Sequence, residues 1–323
     1  MLSNASKIYP KCFFSLRLWL REYPERMEIY NKITPQLFDV SLRDGLQTLS
    51  KEMQYDWTTQ QKINTFYTIK FNHNPTNIEI GSLVNPKILP IFNDSIELYN
   101  SIEKDNQQIE NIKTDNKNSN NKPYLLIPNI RMLHKAIENN IKNYSFITSV
   151  SNSFQKKNTN MTLDENKNEL QEMLKIIINE KSNIKLYISC INECPLNGHI
   201  DNDYIIHEIL HYGKNEKIKE LCLSDTCGTL KFEDFEYIID TCLYFGLPSD
   251  KISLHLHYTE NNFDNTKQIV QYALNKKINK FDVSILDEGG CSVTMTTNKC
   301  KKNLTYEIFY KILVDYIDKK IKK

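Results

Sequence analysis

Glycine is scarce in this chain, with 8 in 323 residues, which is low for an enzyme of this length. Asn, Lys and Ile are abundant instead, concentrated in segments that read as loops and exposed helix faces. We take this as compositional drift of the surface, which carries little functional information. Charge of one sign is also missing. Lys+Arg 41 against Asp+Glu 40 leaves a formal net charge of +1, so no electrostatic case exists for a nucleic-acid partner or for an acidic membrane surface. No apolar run approaches the roughly 18 residues that a membrane-spanning helix needs. The 8 cysteines include no CxxC pair of the structural-zinc kind. They are too thinly spread for a disulfide scaffold, so most are expected as reduced thiols of an intracellular protein.

What is present is a hydrophobic fraction of 40% and a charged fraction of 25%, which is globular usage. The length admits two ordinary domains or one large α/β barrel, which takes about 250 residues. Residues 1–21 contain Lys7, Lys11, Arg17 and Arg21 and no acid, interleaved with serines and with Phe13, Phe14, Leu16, Leu18, Trp19 and Leu20. Such an amphipathic basic stretch reads either as a plain N-terminal extension, over residues 1–30, or as a mitochondrial transit segment. The compartment is accordingly expected to be cytoplasmic, with the mitochondrial matrix as the alternative.

From residue 31 to residue 323 the chain reads as one catalytic domain. Short β-rich runs at 37–42, 77–82, 124–128, 145–150, 185–190, 220–225, 252–258 and 281–285 alternate with segments of helical period at 58–71, 91–104, 130–140, 164–181, 201–212, 232–245, 263–276 and 304–317. Strand–helix alternation implies parallel pairing with right-handed crossovers. Eight such units predict an α/β fold of the (β/α)8 TIM-barrel type, with an open doubly wound sheet as the alternative. The rhythm breaks after the second strand, where 101–122 are polar and close to low complexity. This polar insertion reads as a frayed helix end followed by a surface loop over 105–122.

In such a barrel, functional side chains collect at the C-terminal ends of the strands. There the sequence places Arg43, Asp44 and Gln47 after the first strand, Glu79 and Ser82 at the second, Ser189 and Cys190 at the fifth, Asp225 and Thr226 at the sixth, His255 and His257 on the seventh, and Gly289, Gly290 and Cys291 after the eighth. Residues two apart on a strand face the same side. His255 and His257 therefore offer two nitrogen ligands to one divalent metal, with Asp44 as a carboxylate from another strand. The plainer reading is two histidines packed at a barrel mouth. Arg43 is either an ordinary ion pair with Asp44 or a permanent cation that stabilises an enolate oxygen during carbon–carbon cleavage. Glu79 and Asp225 are candidates for catalysis or for supporting a ligand histidine. Gln47 and Ser82 are candidate substrate contacts. Cys291 follows two glycines and could act as an acid or base on a closing loop, or simply be a buried apolar side chain. Cys190 and Cys194 read as structural.

These segments together resemble the 3-hydroxy-3-methylglutaryl-CoA lyase family, over about residues 37–313. The matching pieces, in order, are SLRDGLQ (41–47), IEIGSLVNPKILP (78–90), LIPN (126–129), SNSFQKKNTN (151–160), YISCINECPLNGHI (187–200), LSDTCG (223–228), HLHYT (255–259) and the EGGC ending at Cys291. The resemblance implies a barrel that binds Mg²⁺ or Mn²⁺ and cleaves an acyl-CoA thioester, 3-hydroxy-3-methylglutaryl-CoA, to acetyl-CoA and acetoacetate. It implies that Asp44, His255 and His257 bind the metal, that Arg43 stabilises the enolate and that Cys291 sits on the catalytic loop. A homodimer is compatible with it. The chain departs from the family pattern after the cysteine, where it reads CSVTMTTNKCKKN, and before it, where Asp287 and Glu288 stand in place of a glycine-rich lead-in. The family's fourth metal ligand, an asparagine, falls on Cys300 without a gap and on Asn303 with a three-residue insertion. We favour Asn303, because it puts Leu304 and Glu307 in register with the last helix. The altered loop leaves a catalytically impaired binding protein, or a lyase for another acyl-CoA, as the alternatives to an active enzyme of this type.

Overall fold

All eight β-rich runs are parallel strands of one closed barrel in the computed structural model, which describes residues 9–112, 121–177, 182–286, 289 and 301–322. The chain opens with α1 (Phe13–Arg21) and α2 (Pro24–Ile33). It enters the barrel through β1 (Gln36–Asp39), a π-helical turn (Ser41–Gly45), the short α3 (Lys51–Tyr55) and α4 (Thr59–His73). The next units are β2 (Asn77–Ser82) with α5 (Ser95–Ile112), β3 (Lys122–Leu126) with α6 (Ile130–Glu138), and β4 (Asn143–Ser149) with α7 (Asn152–Thr159) and α8 (Leu163–Ile176). There follow β5 (Asn183–Ser189), a small hairpin of β6 (Glu193–Cys194) and β7 (Gly198–His199), α9 (Asn202–Gly213), β8 (Glu220–Asp225) and α10 (Phe232–Tyr244). The last are β9 (Ile252–Tyr258), α11 (Phe263–Asn275), β10 (Lys280–Val283), β11 (Lys302–Asn303) and α12 (Tyr306–Ile321). The strand order is β10-β1-β2-β3-β4-β5-β8-β9, and β9 pairs with β10 to close the ring. This is the (β/α)8 architecture expected above. The two-residue β11 lies outside that order and pairs antiparallel with β9, setting Asn303 opposite His257.

The helices start and stop where local chemistry dictates. Thr58 with Gln61, and Thr162 with Glu165, form reciprocal capping boxes, and Asn129, Ser151, Asp201 and Thr305 accept first-turn amides. Asn74 and Asn160 end their helices in the left-handed conformation, at φ 47° and 60°. Glycine usually fills that position and asparagine tolerates it. Part of the missing glycine has thus been replaced by asparagine at helix ends.

Three boundaries differ from expectation. The first strand ends at Asp39 rather than at residue 42, because the Val40 carbonyl accepts the amides of Arg43 (3.2 Å), Asp44 (2.8 Å) and Gly45 (3.2 Å) and curls the chain into a turn. Helix α5 continues to Ile112 across the polar stretch, so 105–112 are helical rather than looped, while 113–120 lie outside the described residues. Residue 30, the expected end of the N-terminal extension, falls inside α2. Leu16 and Leu20 of α1 are each 1% exposed and belong to the main hydrophobic core. Arg26 of α2 lies over the Trp19 ring, 4.0 Å from its centroid, and donates to the Trp19 carbonyl. The part of the amphipathic stretch that forms α1 is therefore built into the fold.

The core lies between strands and helices. On β9, Ile252, Leu254 and Leu256 face this shell while Ser253, His255 and His257 face the barrel axis, as alternation requires. Across the shell they meet helix residues such as Phe66, Phe235, Val270 and Phe309, all fully buried. Among the described residues no helix is long and apolar enough to cross a membrane.

Candidate active site

The side chains along the barrel axis are largely polar. The turn after β1 aims Arg43 and Asp44 inward, at 7% and 3% exposure. Arg43 is held on three sides. Its Nε donates to Glu79 Oε2 on β2 (2.5 Å), its Nη1 donates to Asp44 Oδ1 (2.6 Å), and its guanidinium stands 5.1 Å from the ring centroid of Tyr187 on β5. The Tyr187 hydroxyl donates to the same Glu79 oxygen at 3.1 Å. Burial opposes a charge here, but Glu79 and Asp44 together hold Arg43 protonated well above its ordinary range.

Asp44 is the hub. Gln47 Nε2 donates to its Oδ1 (2.8 Å) and Asn303 Nδ2 donates to its Oδ2 (3.0 Å). His255 Nε2 and His257 Nε2 lie 3.9 Å and 3.8 Å from Oδ2. Burial would raise the Asp44 pKa, but Arg43 and then the two imidazoles keep it well below the carboxylate range. Each ring is oriented from behind. His257 Nδ1 faces the Asp225 carbonyl at 2.9 Å, and His255 Nδ1 faces Asp282 Oδ2 at 3.2 Å. Burial lowers the His255 pKa. It acts the same way on His257, where Asp44 outweighs it and the net shift is upward.

Among the described residues, Asp44, His255 and His257 form a buried trio whose ligand atoms lie within 4.8 Å of one another. His257 Nε2 is buried and makes no hydrogen bond among the described residues, an arrangement that is costly unless something else satisfies the atom. Two imidazoles, a carboxylate and a neighbouring amide oxygen suit a divalent cation such as Mg²⁺ or Mn²⁺. The residues present therefore fit the group.

The sequence-selected residues divide into two sets. Arg43, Asp44, Gln47, Ser82, His255 and His257 line one cavity at the barrel mouth, and Asn303 joins them through Asp44. Glu79 and Asp225 do not line it. Glu79 is fully buried behind Arg43. The Asp225 oxygens accept the Thr229 and Leu230 amides, both at 3.1 Å, and burial pushes its pKa up to about 6. Both contact cavity residues from behind rather than forming the cavity wall, Glu79 through Arg43 and Asp225 through its carbonyl to His257. Ser82 lines the cavity with its hydroxyl already donated to the Leu126 carbonyl (3.1 Å). Cys291, Cys300, Asp287 and Glu288 lie outside the described residues. Gly289 is described, and a Cβ there would come within 2.4 Å of the Asn303 side chain. Glycine at 289 is what lets the chain pass against that amide. Sequence reasoning missed Asp282, Lys185 and Tyr187. Their signal was parity: each occupies an inward position of a strand, and Lys185 and Asp282 are charges inside otherwise apolar runs. The six described cysteines, Cys190 and Cys194 included, are unbridged.

Comparison with known proteins agrees with this geometry. The HMGL-like family model matches residues 34–263. A hydroxymethylglutaryl-CoA lyase, YngG of Bacillus subtilis, is 25% identical over 261 residues, covering 78% of this chain and 77% of that protein. A 3-hydroxy-3-isohexenylglutaryl-CoA/hydroxymethylglutaryl-CoA lyase of Pseudomonas aeruginosa is 23% identical over 221 residues, covering 66% and 65%. Other relatives include cytoplasmic and mitochondrial forms. Among solved structures, an HMG-CoA lyase of Acinetobacter baumannii, in complex with coenzyme A and 3-methylmalate, superposes with a TM-score of 0.71 at 22% identity over 89% of this chain and 84% of that one. With a matching family model across most of its length, a closed eight-stranded barrel and a buried Asp-His-His trio beside an arginine, this chain belongs to the HMGL-like family and is an enzyme of the hydroxymethylglutaryl-CoA lyase type.

Proposed function

We propose that this enzyme is a divalent-metal-dependent carbon–carbon lyase that cleaves 3-hydroxy-3-methylglutaryl-CoA to acetyl-CoA and acetoacetate. The observation that carries the reading is a permanently charged guanidinium hydrogen-bonded to the carboxylate of a His-His-Asp cation site, at the mouth of a barrel. Asp44, His255, His257 and Asn303 would hold Mg²⁺ or Mn²⁺, which when bound would supply Lewis acidity toward the substrate.

The rest is the work of the chain. In cleavage of the C2–C3 bond a base at the cavity receives the C3 hydroxyl proton, C3 becomes the ketone of acetoacetate, and the electron pair of the broken bond stays on C2 as the acetyl-CoA enolate. Arg43 faces the negative charge that builds on the thioester oxygen. Glu79, Asp44 and the Tyr187 ring fix it beforehand, so no reorganisation is needed during the reaction. Gln47 and Ser82 at the cavity wall orient the substrate. The Cys291 thiol, which lies outside the described residues, is assigned the return of a proton to C2 on the resemblance alone.

The test is purified protein with Mg²⁺ or Mn²⁺ and the thioester, with detection of acetoacetate. Metal uptake without acetoacetate excludes this substrate. A second reading, a thioester with a larger C3 substituent, is favoured by the apolar part of the cavity wall, where Val84, Ile88, Leu89, Leu126, Ile147 and Phe154 gather. Running the isohexenyl analogue beside the methyl substrate separates the two. We place the enzyme in the cytoplasm, since α1 is anchored in the core through Leu16 and Leu20. A tagged chain found in the mitochondrial matrix overturns that placement.

A further inference from the structure

We propose that Asp282 is a positioning residue for the cation site. Its carboxylate takes the Nδ1–H of His255 and so sets the tautomer that turns Nε2 toward Asp44, and Lys185 locks that carboxylate in place. The proposal rests on the reading of Asp44, His255 and His257 as cation ligands.

A neutral imidazole carries one proton, and the partner of one ring nitrogen decides what the other can do. His255 lies between two carboxylates. Asp282 Oδ2 is 3.2 Å from Nδ1, within hydrogen-bond reach, whereas Asp44 Oδ2 is 3.9 Å from Nε2, beyond it. The proton therefore belongs on Nδ1. His257 is treated in the same way by different means. Its Nδ1 meets the Asp225 carbonyl at 2.9 Å, an acceptor without a proton to give, so this ring too must donate from Nδ1. Both rings thus present Nε2 to the same oxygen of Asp44.

The two supports differ in cost. A backbone carbonyl is fixed by its strand. A carboxylate at 2% exposure must be neutralised to persist. Lys185, at 1% exposure, does this by pairing with Asp282 Oδ1, and it also reaches Glu220 Oε1 at 3.0 Å. Its ammonium sits 3.6 Å from the centroid of the Phe38 ring, and Cys222 Sγ donates to Asp282 Oδ2 at 3.5 Å. Asp282 is thereby bound on one oxygen by a cation, with the other presented to His255. Neither Lys185 nor Asp282 lines the cavity; Asp282 reaches it through the His255 ring, and Lys185 additionally stands 5.0 Å from the ring centroid of Tyr187.

The experiment compares the full-length chain with two double variants. Asp282→Leu with Lys185→Met removes the acceptor and its buried counter-charge together, so that of the groups Lys185 pairs with only Glu220, the more exposed one, is left without its cation. Asp282→Asn with Lys185→Met restores an acceptor oxygen without the charge. Two readouts are taken: the ¹⁵N signature of the His255 tautomer in metal-free protein, and Mn²⁺ affinity by titration. The wild type is expected to show Nδ1–H. The Leu/Met variant is expected to lose that preference and to bind Mn²⁺ about 10–100-fold more weakly, and the Asn/Met variant to recover most of both. If the wild type binds Mn²⁺ and a folded Leu/Met variant keeps its tautomer and binds within twofold, Asp282 is only a buried ion-pair partner and the proposal is overturned. A wild type that binds no Mn²⁺ overturns the cation reading, and the proposal with it. If Leu/Met does not fold, loss of the Nδ1–H signature in a folded Asn/Met variant overturns the proposal, and its retention there with Mn²⁺ affinity near wild type supports it.

Discussion

The bore of this barrel and the shell around it follow opposite rules. The shell between strands and helices is a continuous apolar core in which Leu254, Phe281, Phe235 and Phe309 are fully buried. The bore carries Glu220, Lys185, Asp282, His255, Asp44, Arg43 and Glu79, a series joined by hydrogen bonds and ion pairs except between His255 and Asp44, which stand 3.9 Å apart. Apolar burial contributes stability in proportion to area with little demand on geometry. Buried ions rarely add net stability, and breaking one is costly. The shell therefore holds the protein together, while the bore fixes charges where the chemistry needs them.

The sharpest break between the two should come from Arg43→Gln. Turnover is expected to fall by at least about 10³-fold, as when a preorganised charge-stabilising donor is lost, with Mn²⁺ affinity largely retained. Equal loss of metal binding would show that Arg43 holds the site together rather than facing the substrate. Phe235→Ala in the shell should do the reverse. It is expected to lower unfolding free energy by about 3–5 kcal/mol in urea titration and leave Mn²⁺ affinity of the folded protein unchanged. Leu20→Ala tests whether α1 belongs to the shell, with an expected loss of about 2–3 kcal/mol by the same measurement. No change would detach the N-terminal helices from the core.

The smallest effect concerns pH. His73 of α4 stacks on Tyr306 with ring centroids 3.8 Å apart, and burial pushes its pKa down to about 4. A histidine depressed in the folded state contributes stability that is complete above its unfolded value near 6.5 and is lost as pH falls from there through 4. The ring is partly exposed, so the effect is discounted to about 1 kcal/mol. His73→Phe keeps the stacking and removes the titration, so its melting temperature should vary less than that of the wild type between pH 6.5 and 4.

Much of this contrast was legible in the sequence. The shell announced itself through eight β-rich runs and eight helical periods, because apolar periodicity depends only on spacing. Asp44, His255 and His257 were legible because strand-end position and parity bring them together, whereas Asn303 came from the family resemblance, with the register of α12 favouring it over Cys300. The bore's depth was less legible. Lys185 and Asp282 interrupt apolar runs as single charges, and nothing local says that a charge on one strand has its partner three strands along the ring. Glu79 and Asp225 were legible as strand-end carboxylates, but whether each meets the cavity or supports a residue that does was not. Distance from the cavity is set by which neighbour a carboxylate finds, Arg43 for one and two loop amides for the other.

The close passage of Gly289 against Asn303 has a consequence for the stretch between them. Gly289 and Asn303, described residues on either side of it, meet at one point, with Asn303 held by β11 opposite His257 of β9. A chain whose two ends already meet can gain or lose residues for little more than a logarithmic entropy cost. Length and composition can therefore drift there while the amide that closes the cation site stays where it is.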